Sequence, residues 1–325
     1  MPALHSHAVP ELCLLVAGAA SAPSPHGRWL RRAARRETPA ARPQWHPHES
    51  RCRLLGYRPP PDADIPVAAL ERRARMEVVD GFWLRADAVR LQPVRDHLLL
   101  AAGPDQLAPL PADIAARAAA LEPERGWRWE HAADGGLHVQ LQQPPDLRTT
   151  PPQAVLGQRV DHAQPQGFDA AFWQRLGTEL QMMLFDVLAN GAPGGDAAPN
   201  AVWFWGGGSL PGYRCRWARV AAREPLVRGL ALCGGVQPQA PPVDFGTWLA
   251  AHQVEGDGLV MLDGDAAEDI ERSWLRPATR AVARGSLAAL TLVLETAGGQ
   301  VEYRLAPGRN RLSAALSRWY LAWRR

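Results

Sequence analysis

The chain has 325 residues, 46% of them hydrophobic, with a formal net charge of +3. That is enough to bury a large α/β core, and too little excess charge for a protein built around nucleic acid. All 36 basic residues are arginine, so there is no lysine for a P-loop, a protein-kinase β3 strand or a pyridoxal-phosphate Schiff base. No run approaches the roughly 20 apolar residues of a membrane helix. Cys13, Cys52, Cys215 and Cys233 form no C-x-x-C pair, which points to reduced thiols in the cytoplasm and to neither a disulfide framework nor a zinc site.

In chain order, "LCLLVAGAASA" reads as a buried first strand. Its lack of a basic leading segment, together with Glu11, argues against a signal peptide. Residues 23–61 are rich in Arg, Pro and His and poor in aliphatics, so they read as a solvated, partly disordered arm or insertion, or a short helix. "DIPVAALERRARM" predicts a helix opening at Asp64 with Pro66 in its first turn. "DGFWLRADAVRL" predicts a strand, "DHLLLAAG" a buried strand, and "LPADIAARAAALEPE" a helix between prolines. "WRWEHAADGGLHVQLQ" alternates on both sides of Asp134-Gly135-Gly136, a hairpin pattern. In "FDAAFWQRLGTELQMMLFDVLANG", Phe172, Leu176, Leu180, Leu184 and Leu188 recur every fourth residue and Asn190-Gly191 supplies a stop, which predicts a helix with a core-facing stripe. "NAVWFWGGG", "GYRCRWARV" and "GLVMLDGD" predict strands, "LAALTLVLETAGGQVEYRLA" a second hairpin, and "RLSAALSRWYLAWRR" a terminal amphipathic helix. Alternating strands and helices predict an α/β fold, a mixed sheet flanked by helices with antiparallel hairpins. The expected organisation is a single unit over 1–325, with the 23–61 arm and a smaller subdomain at about 84–150.

Most candidate motifs have a bland explanation. His5/His7 and His46/His48 lack companions to complete a metal site. The acids of "DGDAAEDIE" suit a helix N-terminus, and Ser209 in "GGGSLP" lacks the nucleophile-elbow pattern. Arg214, Arg216 and Arg219 read as a solvated cationic face. Two stretches carry more chemistry. Arg85 and Asp87 lie two apart on a predicted strand and therefore share a face, where a carboxylate can orient a guanidinium toward an anion or form a structural ion pair with it. Trp205 runs into Gly206, Gly207 and Gly208, whose amides can form an anion-binding nest or a tight turn. Asn200 offers a further polar contact.

"WLRADAVRL", "DHLLL", "ELQMML" and "NAVWFWGGG" follow one another in the order and spacing of the RpfE-type regulatory proteins of bacteria, often labelled phosphoglycerate mutase. The chain resembles that family over most of residues 64–325. The stretch from Asn200 is also similar to one in the cofactor-independent phosphoglycerate mutases of the alkaline-phosphatase superfamily. The resemblance implies a degenerate mutase-like scaffold. Such mutases hold two divalent metals with Asp and His and use a Ser nucleophile. Here the first strand runs into Ala19-Ala20 where they have Asp-Gly, and after His162 only His252 remains. The chain also departs from the RpfE-type pattern at Ala88, Arg90 and Phe185.

The expectation is thus a cytoplasmic bacterial pseudoenzyme, a regulatory or small-anion-binding protein without cofactor, metal, nucleic acid or membrane. Its small anionic ligand is expected in one cleft at Arg85, Asp87, Asn200, Trp205, Gly206, Gly207 and Gly208, with a regulatory protein as the other expected partner. Two alternatives stay open: a metal-dependent phosphoglycerate mutase or phosphatase-like phosphoryl-transfer enzyme, and a docking module using the Arg-rich arm.

Overall fold

The computed structural model describes residues 9–17, 47–75, 78–189, 197–251, 256–263, 267–296 and 299–306. Its elements in chain order begin with β1 (Glu11–Val16), α1 (Pro47–Leu55), α2 (Val67–Arg75), β2 (Phe82–Val94), β3 (His97–Ala102) and α3 (Ile114–Leu121). Then come β4 (Arg128–His131), β5 (Leu137–Leu141), α4 (Ala170–Ala189), β6 (Ala201–Gly208), β7 (Arg219–Ala221), α5 (Pro225–Cys233) and α6 (Phe245–Ala250). The last are β8 (Gly258–Leu262), α7 (Ala267–Ile270), a π-helical turn (Glu271–Leu275), α8 (Arg276–Arg284), β9 (Ala289–Thr296) and β10 (Gly299–Leu305).

The chain divides into two compact units. Unit 1 comprises Met1–Tyr57 with Tyr213–Arg325, and unit 2 comprises Arg58–Gly212. The sequence pattern suggested one unit with a subdomain at about 84–150. The structure extends that subdomain because β6 pairs with β2 and α4 packs against their sheet, which draws in the residues up to 212.

Unit 1 holds a mixed sheet in the order β10-β9-β1-β8-β7, with β9, β1, β8 and β7 parallel and β10 antiparallel to β9. Both faces of the parallel strands are buried, so β1, β8 and β9 read as near-continuous apolar runs. Leu12, Leu14, Val260, Leu290 and Leu292 pack on Trp248, Trp274 and Val282 from α6, the π-helical turn and α8. Of the stretch expected to be an arm, residues 47–55 form α1. Its Cys52 and Leu55 are fully buried and Arg51 pairs with Glu224 and Glu295, so this end is packed structure. Residues 23–46, His5, His7, His46 and the predicted terminal helix lie outside the described residues. "GYRCRWARV" is a strand only at its end, β7. The amides of Cys215 and Arg216 bond to Gly234 and Leu55 and join no ladder.

Unit 2 is built on an antiparallel sheet. The first half of the 13-residue β2 lies between β5 and β6, its second half pairs with β3, and β4 completes the hairpin with β5. The "DHLLL" strand was expected to be buried, but as β3 it is half-exposed apart from Leu100, pairing with the tail of β2 on one edge and bonding to the irregular residues 156–160 on the other. On one face Leu84, Ala86, Leu137, Val139, Val202 and Phe204 pack on α3 and α4 through Ile114, Trp173, Leu176, Leu180 and Leu184. Of the apolar stripe expected of α4, Leu176, Leu180 and Leu184 are therefore core and Phe172 packs at its edge, while the Leu188 side chain lies outside the described ones.

Candidate functional site

Alternation along β2 sends Trp83, Arg85 and Asp87 to the opposite face, the one toward α2. Register sets their neighbours: Arg85 lies between His138 on β5 and Trp205 on β6, and Asp87 lies opposite Trp203. Helix α2 supplies Glu71, which pairs with Arg85 and lies 3.0 Å from His138 Nε2. Arg85 donates to Asp87 from Nε at 3.2 Å and from Nη2 at 2.7 Å, and the Trp205 indole N–H donates to the other Asp87 oxygen at 2.7 Å. Nη2 also reaches Asp134, in the turn between β4 and β5, at 2.7 Å.

Arg85, Asp87 and His138 are buried, while the Asp134 side chain is 51% exposed. One guanidinium faces three carboxylates, with the His138 imidazole beside Glu71. Burial raises the Asp87 carboxyl above its ordinary value, against the charge and hydrogen bonds of Arg85 and the bond from Trp205. Burial also acts on Asp134, but there the Arg85 charge and hydrogen bond, with the Gly136 amide, win and hold it below its ordinary range. Gly136 is required by close approach, because a Cβ there would overlap Asp87 Oδ1 and crowd Arg85 Nη2 at 3.1 Å.

The glycine run answers a different demand. Between the pairs Arg85–Trp205 and Trp83–Gly208, β2 has one residue and β6 has two, so Gly206 and Gly207 make a β-bulge with Gly206 left-handed at φ +65°. The turn is closely packed. A Cβ would lie 3.1 Å from Val67 Cβ at Gly206, 2.8 Å from Leu84 at Gly207 and 2.6 Å from Pro66 at Gly208. The amides expected to bind an anion meet the chain's own groups. Gly206 N–H donates to Thr149 Oγ1 at 3.2 Å, and Gly207 N–H bonds to Asp64, which Thr149 also caps.

Of the expected residues, Arg85, Asp87 and Trp205 converge, and the glycines adjoin them along β6. Asn200 does not join them: its amide exchanges two hydrogen bonds with the backbone of Leu91, at 2.7 and 2.8 Å, toward the far end of the ladder. Sequence reasoning missed Glu71, Asp134 and His138. Only the strand parity of His138 and the Asp-Gly-Gly turn hinted at them, and neither reveals which strand pairs with β2.

In unit 1 the acids at the carboxyl ends of the parallel strands, where α/β folds hold ligands, are ion-paired to arginine. Arg51 bridges Glu224 and Glu295, and Arg223 lies 3.5 Å from Asp263. Ala17 follows β1. Among the described residues no group of three or more His, Cys, Asp or Glu is placed to hold a metal ion. The described residues therefore do not fit the two-metal centre that the mutase resemblance implies; His252 and Asp265 lie outside them. No described helix is long and apolar enough to cross a membrane.

No family model matches the chain, and no curated protein matches it. Among solved structures, a cofactor-independent phosphoglycerate mutase from Thermoplasma acidophilum DSM 1728 is 14% identical with a TM-score of 0.44, over 92% of this chain and 90% of that one. The PH0037 protein from Pyrococcus horikoshii is 11% identical with a TM-score of 0.49, over 92% of this chain and 87% of that one. Likenesses this distant assign no activity here, and the RpfE-type resemblance rests on sequence motifs alone.

Proposed function

We propose that this chain is a binding protein for a small anion, working without phosphoryl transfer, and that Arg85 in unit 2 is the group the anion meets. The observation that supports this is the buried charge cluster itself. Each buried ion costs several kcal/mol of desolvation, whereas an apolar row would fill the same sheet face without that cost. Ionisable groups displaced from their ordinary behaviour cluster at functional sites. Arg85 is held by Asp87 and Glu71 on its inner sides, with its planar fork fixed, and its remaining contact goes to a half-exposed carboxylate.

The test is calorimetric titration of the full chain with acetate, inorganic phosphate and phosphoglycerate, paired with two-dimensional NMR of the indole N–H groups. Saturable binding of at least one anion is expected, with a shift of the Trp205 indole resonance, since that N–H shares Asp87 with Arg85. Arg85→Lys keeps the charge but loses the fork, and should lose the binding. No saturable binding by the wild-type chain, or binding that leaves the Trp205 resonance unmoved, overturns the reading. So does a metal-dependent turnover of phosphoglycerate that chelation abolishes.

A further inference from the structure

Resting on that reading, we infer that Asp134 is a built-in competitor for the Arg85 site, a tethered carboxylate that a free small monocarboxylate displaces. Three features of the cluster point to it. First, the partners of Arg85 are unequal. Asp87 is fully buried and takes a bidentate contact plus the Trp205 N–H, whereas Asp134 is half-exposed and shares Nη2 with Asp87. Asp134 can therefore leave without stranding the guanidinium, and the N–H it vacates is the one that met the half-exposed partner.

Second, release needs no loop opening. The turn backbone is fixed by Gly135 N–H to Ala132 O at 3.1 Å, Ala132 N–H to Gly136 O at 2.8 Å and Leu110 N–H to Gly135 O at 3.0 Å. Only the Asp134 side-chain torsions must turn, a motion of the rotamer timescale.

Third, charge selects the ligand class. Three carboxylates surround one guanidinium, so the cluster's field does not recruit an additional anion. Exchanging one carboxylate for another leaves the total unchanged. Exchanging it for a phosphate dianion adds a negative charge within a few ångströms of Asp87 and Glu71, where like charges repel strongly. The site thus prefers a monocarboxylate to phosphate.

A tethered group that keeps the site closed about 90–99% of the time weakens apparent affinity about 10- to 100-fold. The test is calorimetric titration of the folded full chain with sodium acetate and with inorganic phosphate at constant ionic strength, for wild type, Asp134→Ala and Asp134→Glu. Folding of each variant is verified by thermal melt. Asp134→Ala should bind acetate at least about 10-fold more tightly than wild type. Asp134→Glu, which keeps a tethered carboxylate, should not show that gain, and phosphate should bind more weakly than acetate throughout. Equal acetate affinity in wild type and Asp134→Ala overturns the competitor while leaving the anion reading intact. Phosphate binding as tight as acetate overturns the monocarboxylate class. If neither wild type nor Asp134→Ala binds either anion, the competitor and the underlying reading both fail.

Discussion

The two faces of the unit 2 sheet are made by the same strands and obey different rules. On the α4 side, Leu84 and Ala86 of β2 meet Trp173, Leu176 and Leu180 in a core with no charged member. Its stabilisation grows with buried area, at about 25 cal/mol per Å², and tolerates repacking. One residue along, Arg85 and Asp87 meet Glu71, His138 and Trp205. There the stabilisation depends on each group keeping its partner, since a buried charge without one is worse than no charge. One face is held by area and the other by pairing, so they should fail differently.

The largest effect expected from breaking the pairing is that of Asp87→Leu. It removes the bidentate acceptor of Arg85 and the acceptor of the Trp205 N–H, and should cost about 3–5 kcal/mol in denaturant melts. Adding Arg85→Met and Glu71→Gln removes the remaining cation together with the carboxylate that would otherwise lose it, and should recover part of that loss, because uncharged groups can replace buried ions at little cost. A triple variant less stable than Asp87→Leu alone would mean that this face is held by area after all. On the other face, Leu180→Ala should cost about 2–5 kcal/mol through lost transfer energy and a cavity, and no second truncation should rescue it. Recovery on adding a further truncation would collapse the distinction.

The apolar face was legible in the sequence and the paired face only half so. The fourfold spacing of Leu176, Leu180 and Leu184 and the alternation around Asp134-Gly135-Gly136 are local signals, and they became α4 and the β4–β5 hairpin. Arg85 and Asp87 were found the same way, by parity within one strand. Glu71 reaches them from 14 residues before Arg85, and Asp134 from 49 residues after it. No periodicity carries that information, because it depends on which strands pair. The same limit explains the glycine run. The sequence showed that the backbone does something unusual at Gly206, but the Thr149 and Asp64 groups that meet its neighbouring amides arrive from distant turns. The packing of the helix over Pro47–Leu55 was not legible, because its Arg and His content suggested solvent, and Arg51 is instead paired inside unit 1.

A smaller effect sharpens the comparison at the strand end. Gly206→Ala combines a left-handed φ of +65° with a Cβ only 3.1 Å from Val67 Cβ, on the α2 side. It should cost about 1–3 kcal/mol in thermal or denaturant melts. Gly212→Ala, where a Cβ meets nothing within 4 Å and φ is not left-handed, should stay within about 0.5 kcal/mol of wild type. Equal effects at the two positions would show that the bulge does not require glycine.

The smallest effect lies at the open end of the paired face and turns on sign. Asp134 is held below the ordinary carboxyl value of 3.8 through Arg85. A carboxyl depressed in the folded state contributes stability that is present above its unfolded pKa and is lost as pH falls through its folded pKa. Asp87 has the opposite sign. Its folded-state value is raised by burial, so its contribution grows as pH falls from that raised value through 3.8. Asp134→Asn should therefore be less stable than wild type at neutral pH, and the gap should narrow below about pH 4 as the wild-type carboxyl takes up its proton. The neutral-pH gap should be under about 1 kcal/mol, because a half-exposed pair is screened by solvent. Urea melts of the two proteins at matched ionic strength across the acid range measure it. A gap that widens on acidification would show Asp134 behaving like its buried neighbour, and the outer contact of Arg85 would then not be a charge pair that a competing carboxylate can take over.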